Sequence, residues 1–375
     1  MRVNGRDARS IRLDEPGNGP PVPVIIDQTL LPHELRFVAL QTADDAERAI
    51  RQMQVRGAPL IGATAAFGIA LATRADPSDA GLESAARALL GTRPTAVNLR
   101  WAVRDMLDNL LLKPIGDREA VAFERAADIA ERDVEICRSI GRHGGDILRR
   151  IAEAAGGDRS VQVLTHCNAG WLATVDWGTA LAAVYDAHRS GVPLHVWVSE
   201  TRPRNQGAGL TAWELAGEGV PHTVVADSAS GHLLRIGRVD VVITGTDRTT
   251  RAGDVCNKIG TYMKAVAARD CGVPFYAAVP GPSIDWELGD GDEKSIPIEE
   301  RDGAEVSEVR GMGPDGRVSS VRITPVGSPV ANFGFDVTPA RLITGLVTER
   351  GVCEASREGL EALFPDMVSR KDAAG

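Results

Sequence analysis

From residue 161 onward the chain alternates short apolar, β-branched runs with stretches of helical periodicity, and this alternation constrains the fold more than any other feature. Strand candidates fall at 161–165, 194–199, 222–226, 239–244 and 273–279, separated by helical stretches at 175–189, 208–217, 228–236 and 257–270. A run that is apolar on both faces needs cover on both faces, which helices crossing between parallel strands provide. The expected architecture is an α/β fold with a doubly wound, Rossmann-like parallel sheet. Sheets of this kind bind ligands just beyond the carboxyl ends of their strands, so chemistry is sought there.

Two such junctions stand out. Val239, Val241, Val242 and Ile243 run into a loop carrying Asp247 and Arg248, and the pattern then predicts a helix opening at Asn257-Lys258. Val161 to Leu164 run into Thr165-His166-Cys167-Asn168-Ala169-Gly170, with a helical pattern from Thr174. Asp247 is placed for chemistry rather than packing, and Cys167 is expected beside it across the sheet's edge. A lone cysteine more often fills a core, but the polar, glycine-bearing loop here suits a partly exposed thiol whose charge state its neighbours tune. His166 adjoins Cys167, and neighbours in a strand point to opposite faces, which makes it structural. His232 either lines the site or caps its turn. After 194–199 the loop Ser199 to Gly207 offers Glu200, Arg202 and Gln206 to a sugar phosphate. No G-x-G-x-x-G follows a strand with an acidic residue at the proper distance, and no G-x-x-x-x-G-K-[ST] occurs, so dinucleotide and P-loop readings lose their support.

The first part of the chain reads differently. Val22–Ile26 and Glu34–Leu40 are strand candidates, a short β-piece preceding a mostly helical region with helices over Asp44–Met53 (Thr42 as N-cap), Asp79–Leu90, Ala96–Leu112 and Arg118–Ala154, the last broken near Gly144-Gly145. Gly57 to Ala72, small and apolar, fits a tightly packed interior helix. Before it stands Arg56-Gly57-Ala58-Pro59, where an arginine beside free amides at a helix start makes a ready anion site. Arg93 stands in a similar setting. The composition shift at Ala154 to Asp158 places a boundary between a smaller helical domain, 1–154, and a Rossmann-like domain, 155–375. Within the latter, Asp285 to Asp292 reads as an exposed loop, Arg341–Glu349 as a final helix and Ser369–Gly375 as a frayed tail.

A formal charge of −9 and a pI near 5.4 argue against a nucleic-acid footprint or an anionic-membrane surface. An anionic substrate would require a local cluster of Arg and Lys. The five cysteines, 137, 167, 256, 271 and 353, are odd in number and lack CxxC pairing. They fit reduced cytoplasmic thiols, and no His, Cys and acidic set has metal-ligand spacing, so no metal is expected. The N-terminus has no apolar signal core and no run approaches a membrane span of roughly 18 residues, so an intracellular, soluble protein is expected.

Several segments together carry a resemblance: VRGAPLIGATAAFGIAL, RPTAVNLRWAV, LTHCNAGWLATVDWGTAL, ETRPRNQGAGLTAWEL, DSASGHLL, GTDRTTRAGDVCNKIGTY, IPIEER and FDVTPARLITGLVTERGV. In this order and over nearly the whole chain they resemble the methylthioribose-1-phosphate isomerases, relatives of the regulatory subunits of the initiation factor 2B complex. The resemblance implies a small helical domain on a Rossmann-like domain, a homodimer, and no cofactor. It implies conversion of 5-methylthioribose 1-phosphate to the corresponding ketose 1-phosphate in methionine salvage. By motif, Arg56, Gly57, Ala58, Arg93, Gln206, Asn257 and Lys258 would bind substrate, Asp247 would be the general acid, and Cys167 would assist the transition state. The physics agrees: a sugar phosphorylated on its anomeric oxygen cannot open freely, so an acid must protonate the ring oxygen. Asp247 could do so if an apolar setting raised its pKa above the usual ~3.9. Arg56, Arg93 and Lys258 are the cations for the phosphate.

The sequence departs from the family pattern at Gly209, where Arg is usual, at Val175-Asp176-Trp177-Gly178, at Thr246 and Cys256, and at Asn332-Phe333-Gly334. These departures leave the 5-substituent open, with 5-deoxyribose 1-phosphate or another 5-modified pentose 1-phosphate as the alternative. Ribose 1,5-bisphosphate would ask for more cations near C5 than Gly209 suggests. A non-catalytic regulatory subunit is the contrasting class.

Overall fold

The computed structural model describes residues 1–3, 5–15, 17, 19–93, 96–156, 159–288 and 296–367. A short hairpin, β1 (Arg2–Val3) and β2 (Arg6–Asp7), precedes an antiparallel sheet of β3 (Ile11–Asp14), β4 (Val22–Ile26) and β5 (Phe37–Ala39) in the order β3-β4-β5. β5 is shorter than the Glu34–Leu40 expectation because the Glu34 amide closes a turn on the Leu30 carbonyl at 3.0 Å.

Five helices follow: α1 (Ala43–Arg51), α2 (Ala58–Ala75), α3 (Asp79–Leu90), α4 (Val97–Leu110) and α5 (Arg118–Ala154). Thr42 caps α1 through a reciprocal pair with Asp45. Against the expectation that no run approaches a membrane span, α2 is long and apolar enough to cross a membrane, yet 83% of it is buried inside the protein, packed among α1, α3, α4 and α5. Gly62 and Gly68 admit Asn98 and the Ala46 and Leu89 side chains at close range.

α5 runs unbroken for 37 residues, against the expected break at Gly144-Gly145. Glycine in a helix interior costs about 1 kcal/mol relative to alanine, and here close packing offsets it. A Cβ at Gly144 would lie 2.5 Å from the Ala183 Cβ, and one at Gly145 2.1 Å from an Asp186 carboxylate oxygen. The two glycines let α6 (Ala180–Arg189) lie against α5. The first half of α5 buries Phe123, Ala126 and Ile129 in the helical core, and its second half buries Ile140, Ile147 and Leu148 in the core that also holds Val163 and Val196.

The remaining strands and α-helices among the described residues are β6 (Val161–Thr165), β7 (Leu194–Ser199), α7 (Ala212–Gly217), β8 (His222–Val225), α8 (Ala229–Arg235), β9 (Val241–Thr244), β10 (Arg248–Thr250), β11 (Val255–Lys258), α9 (Thr261–Asp270), β12 (Phe275–Ala278), β13 (Ile284–Asp285), α10 (Ala304–Ser307), β14 (Glu308–Met312), β15 (Val318–Arg322), β16 (Phe335–Thr338), β17 (Gly345–Thr348), β18 (Gly351–Cys353) and α11 (Arg357–Leu363). A seven-stranded sheet has the order β18-β17-β12-β9-β6-β7-β8, parallel except where β18 pairs antiparallel with β17. A second, mixed sheet has the order β13-β10-β11-β16, and β14 with β15 forms a separate hairpin. The fold is α/β with mixed sheets.

Three expectations give way to non-local pairing. Asn257-Lys258 lies in strand β11, not at a helix start, because β11 pairs antiparallel with β16 in the register Asn257↔Asp336, Lys258↔Phe335. α9 opens only at Thr261, after Gly260 turns the chain at φ 100°. Arg341–Glu349 is not a helix. A single turn at Ala340–Leu342 leads into β17, which adds to the parallel sheet beside β12, with Gly345 opposite Tyr276. The helix expected from Thr174 begins at Ala180, because Gly178, at φ 83°, first folds the loop onto the backbone of Gly170. Of the expected 285–292 loop, Asp285 is the end of β13 and 289–292 lie outside the described residues, as do Ser369–Gly375.

Candidate active site

The carboxyl ends of β6 and β9, the loop after β7, strand β11 and the start of α2 converge on a cleft of about 60 Å³. Arg56, Gly57, Ala58, Arg93, Cys167, Gln206, Asp247, Asn257 and Lys258 all line it. Glu200 and Arg202 do not. Arg202 instead donates to the Val306 carbonyl at 2.8 Å. His232, on α8, is also absent from the lining.

The approach of α2 to this cleft depends on Gly57. It has φ 93°, and a Cβ there would sit 2.3 Å from the carbonyl oxygen of Ala173. Only glycine both adopts this conformation freely and permits that contact. Arg56 is folded onto the loop after β6, donating to the Asn168 carbonyl at 2.7 Å and to its side-chain oxygen. Asn168 in turn donates to Glu214 at 2.8 Å, and the same buried carboxyl group accepts the Trp171 and Leu172 amides at 2.9 Å each. The loop is thus tied to α7 and the arginine to the loop.

Asp247 is held by its amide, which donates to the Cys256 carbonyl at 3.0 Å. Burial raises its pKa, and Lys258, Arg56 and Arg93 partly oppose the shift. Cys167 is buried rather than partly exposed, at 9% exposure. Burial raises its thiol as well, against the pull of Arg56 and Lys258. Lys258 is itself lowered by burial. Its Nζ donates to the Gly334 carbonyl at 2.8 Å and lies 4.6 Å from the centre of the Phe335 ring. Asn257 donates to Thr261 Oγ1 at 3.0 Å. The site therefore gathers a carboxyl group and a thiol whose pKa values burial raises, and cations held close to them, in a poorly solvated cleft where electrostatic effects are large.

The sequence reading set His166 aside as structural and did not single out Asn168 or Arg301; all three also line the cleft. Burial lowers the pKa of His166 to about 3, so the ring is neutral. Arg301 stands 3.4 Å from Glu299, which pairs with Arg93 at 3.1 Å. The signal for Arg301 was the IPIEER segment, whose last residue it is. Arg93 Nε and Gln206 Oε1 are buried with no hydrogen-bond partner among the described residues. Buried polar groups are ordinarily satisfied. An N–H here calls for an acceptor such as a phosphate oxygen, and an amide oxygen for a donor such as a sugar hydroxyl. Among the described residues, no three His, Cys, Asp or Glu side chains group as a metal site.

Past Met53, Arg56 and Gln206, which line both spaces, lies a second cavity of about 350 Å³. Leu31, Pro32, Met53, Gly209 and Leu210 provide its apolar lining, while Arg56, Arg204, Arg310, Glu305 and Glu308 are its charged residues.

Residues 54–355 match the initiation factor 2 subunit family. The chain is 59% identical to the methylthioribose-1-phosphate isomerase of Sinorhizobium medicae, over 98% of this chain and 100% of that one. It is 58% identical to that of Paramagnetospirillum magneticum, over 98% and 99%. Among solved structures it resembles 5-methylthioribose 1-phosphate isomerase from Pyrococcus horikoshii, with TM-score 0.79 and 38% identity over 95% of this chain and 96% of that one. It also resembles the subunit delta of translation initiation factor eIF-2B from A. fulgidus, with TM-score 0.77 and 38% identity over 96% and 100%. The chain belongs to the initiation factor 2 subunit family, in the methylthioribose-1-phosphate isomerase group.

Proposed function

We propose that the protein is an aldose–ketose isomerase that converts 5-methylthioribose 1-phosphate to 5-methylthioribulose 1-phosphate, a step of methionine salvage, acting as a cytoplasmic homodimer without a cofactor. The observation that carries the reading is the joint placement of Asp247 and Cys167 in one cleft with Arg56, Arg93 and Lys258. The helical domain, 1–154, supplies Arg56 and Arg93, and the Rossmann-like domain, 155–375, supplies the acid, the thiol and Lys258, so the substrate is held between them. The phosphate sits at the start of α2, against the amides of Gly57 and Ala58 and the free Arg93 Nε, and Gln206 Oε1 accepts from a sugar hydroxyl.

Asp247, whose pKa burial raises, acts in its protonated form and gives its proton to the ring oxygen. The bond from C1 to that oxygen breaks, leaving an oxocarbenium ion at C1 and a hydroxyl at C4. The hydrogen at C2 then moves with its electron pair to C1, while the C2 hydroxyl loses its proton to the Asp247 carboxylate and becomes the ketone. Atoms and charge balance, and the acid is regenerated. Burial keeps the Cys167 thiol protonated, which favours this hydride route over proton abstraction by a thiolate and leaves the sulfur to stabilise the cation at C1. The 5-methylthio group enters the adjoining cavity against Leu31, Pro32 and Met53.

The test is turnover of 5-methylthioribose 1-phosphate, 5-deoxyribose 1-phosphate and ribose 1,5-bisphosphate by wild type, Cys167→Ser and Asp247→Asn. Preference for the methylthio sugar with both variants inactive supports the reading, and preference for the bisphosphate overturns the substrate assignment. The likeness to the A. fulgidus initiation-factor subunit favours one second reading, a binding subunit. Tight binding of the sugar phosphate with no turnover would establish it. With substrate deuterated at C2, full retention of label at C1 is expected, and exchange with solvent would refute the hydride route.

A further inference from the structure

Cys167 and Thr201 both have positive backbone φ, 64° and 67°, a region that residues other than glycine rarely occupy. Each is pinned. The Cys167 amide donates to Thr201 Oγ1 at 2.8 Å, and the Cys167 carbonyl accepts from Thr211 Oγ1 at 2.7 Å. The Thr201 hydroxyl, fully buried, also lies 2.9 Å from the Ser199 carbonyl, to which it donates, and 3.3 Å from His166 Nδ1. With its Nε2–H on the Ile259 carbonyl at 2.8 Å, neutral His166 offers that hydroxyl only a lone pair. Asp227 holds Thr201 in turn: its carboxylate accepts the Thr201 amide at 2.8 Å, the Arg202 amide at 2.7 Å and the Ser199 hydroxyl. Neither Thr201 nor Asp227 lines the cleft. Asp227 opens the segment DSASGHLL, to which the proposed chemistry assigns no task.

We propose that Asp227 and Thr201 are positioning residues for Cys167, a two-link brace running from the loop after β8, through the loop after β7, to the loop after β6, that fixes the thiol against the reacting carbon. The inference rests on the isomerase reading for its kinetic consequence, but the placement of the thiol is independent of it. The brace needs a hydroxyl, since one oxygen must accept from Cys167 and donate to Ser199 together. A methyl group of the same size does neither, and the buried Cys167 amide would lose its partner. With the carbonyl still tied to Thr211, the loop would relax about that point and carry the sulfur away from its position.

The experiment compares Thr201→Val, Thr201→Ser and Asp227→Asn with wild type in three readouts: kcat and KM for 5-methylthioribose 1-phosphate, the rate of Cys167 alkylation by iodoacetamide resolved by peptide mapping, and thermal melting. Misplacement of a reacting group by about 1 Å costs on the order of 100-fold, so Thr201→Val should lose about 30- to 100-fold in kcat with KM within about twofold. Its Cys167 alkylation rate should shift by at least about fivefold, following exposure of the thiol. Thr201→Ser should restore both to within about threefold, and Asp227→Asn should fall between. Unchanged kcat and alkylation in Thr201→Val, or a Thr201→Ser as impaired as Thr201→Val, would overturn the proposal. If Thr201→Val does not fold, Asp227→Asn decides: unchanged kcat and alkylation overturn the brace. If wild type shows no turnover while Thr201→Val still alters alkylation, the isomerase reading fails and the brace stands.

Discussion

Replacing Gly57 by alanine should be one of the most damaging single-methyl additions in the protein. The residue sits at φ 93°, and the added Cβ would lie 2.3 Å from the Ala173 carbonyl oxygen, 2.6 Å from its Cα and 2.7 Å from its Cβ. A left-handed conformation costs an L-residue about 1–2 kcal/mol, and overpacking against backbone adds about 1–3 kcal/mol. The total is about 2–5 kcal/mol. With an unfolding entropy of about 2.1 cal/mol/K per residue, a cooperative unit of this size should lose about 3–6 °C in Tm. The functional loss should be larger in proportion. Relief of the clash means separating the start of α2 from the loop that carries Ala173, and the Arg56 contacts to Asn168 cross that gap. A loss of about 100-fold or more in kcat/KM is expected. Gly209→Ala is the control: its Cβ would meet only Pro32 Cδ, at 3.6 Å, an ordinary contact, and its Tm should move by no more than about 1 °C. Scanning calorimetry and steady-state kinetics on the two variants decide the matter. A Gly57→Ala protein with the melting point and kcat/KM of wild type would refute the reasoning.

Asp247→Asn should lower kcat by about 10²- to 10⁴-fold in a steady-state assay, as expected for loss of a general acid. Because burial raises the Asp247 pKa and the active form is the protonated one, wild-type kcat/KM should fall as pH rises through that ionisation, and a profile that climbs instead would contradict the role. Arg301→Met should raise KM about tenfold with kcat within about threefold, the pattern of lost uniform binding; equal loss in both parameters would move Arg301 into the chemistry. Gly209→Phe, filling the cavity beyond Met53, should discriminate against a 5-butylthio analogue relative to the methylthio sugar by about 10-fold or more compared with wild type, as measured by the ratio of the two kcat/KM values.

The sequence was most informative where a residue's environment follows from its immediate neighbours. Val161 to Leu164 and Val241 to Ile243 are apolar on both faces, so they read as interior strands, and the residues just past their ends proved to lie on one cleft. The second sheet was illegible because β10, β11, β13 and β16 contain only two to four residues each and exist through partners distant in sequence. Asn257 and Lys258 were expected on the cleft they line, while their element was mistaken, since a strand of four residues, VCNK, is too short to show an alternation. Leu346 and Val347, five and six residues past Arg341, were read as helical for want of any local sign that β12 waits beside them. Cys167 carried a polar loop's composition but a core residue's burial, and only the tertiary packing of Thr201 and Thr211 around it distinguishes the two.

The unbroken course of α5 bears on how the chain can come apart. One rod of 37 residues lends its first turns to the helical core and its last turns to the core under the parallel sheet. Melting either core strips one face of the same helix, so the two should be lost in a single calorimetric transition, and amides in both halves of α5 should share the slowest class of hydrogen exchange. Cleavage at the 154–155 peptide bond would not liberate two stable pieces. It would leave Ile140, Ile147 and Leu148 facing water on one fragment and uncover the sheet on the other, a pairing that favours aggregation over independent folding.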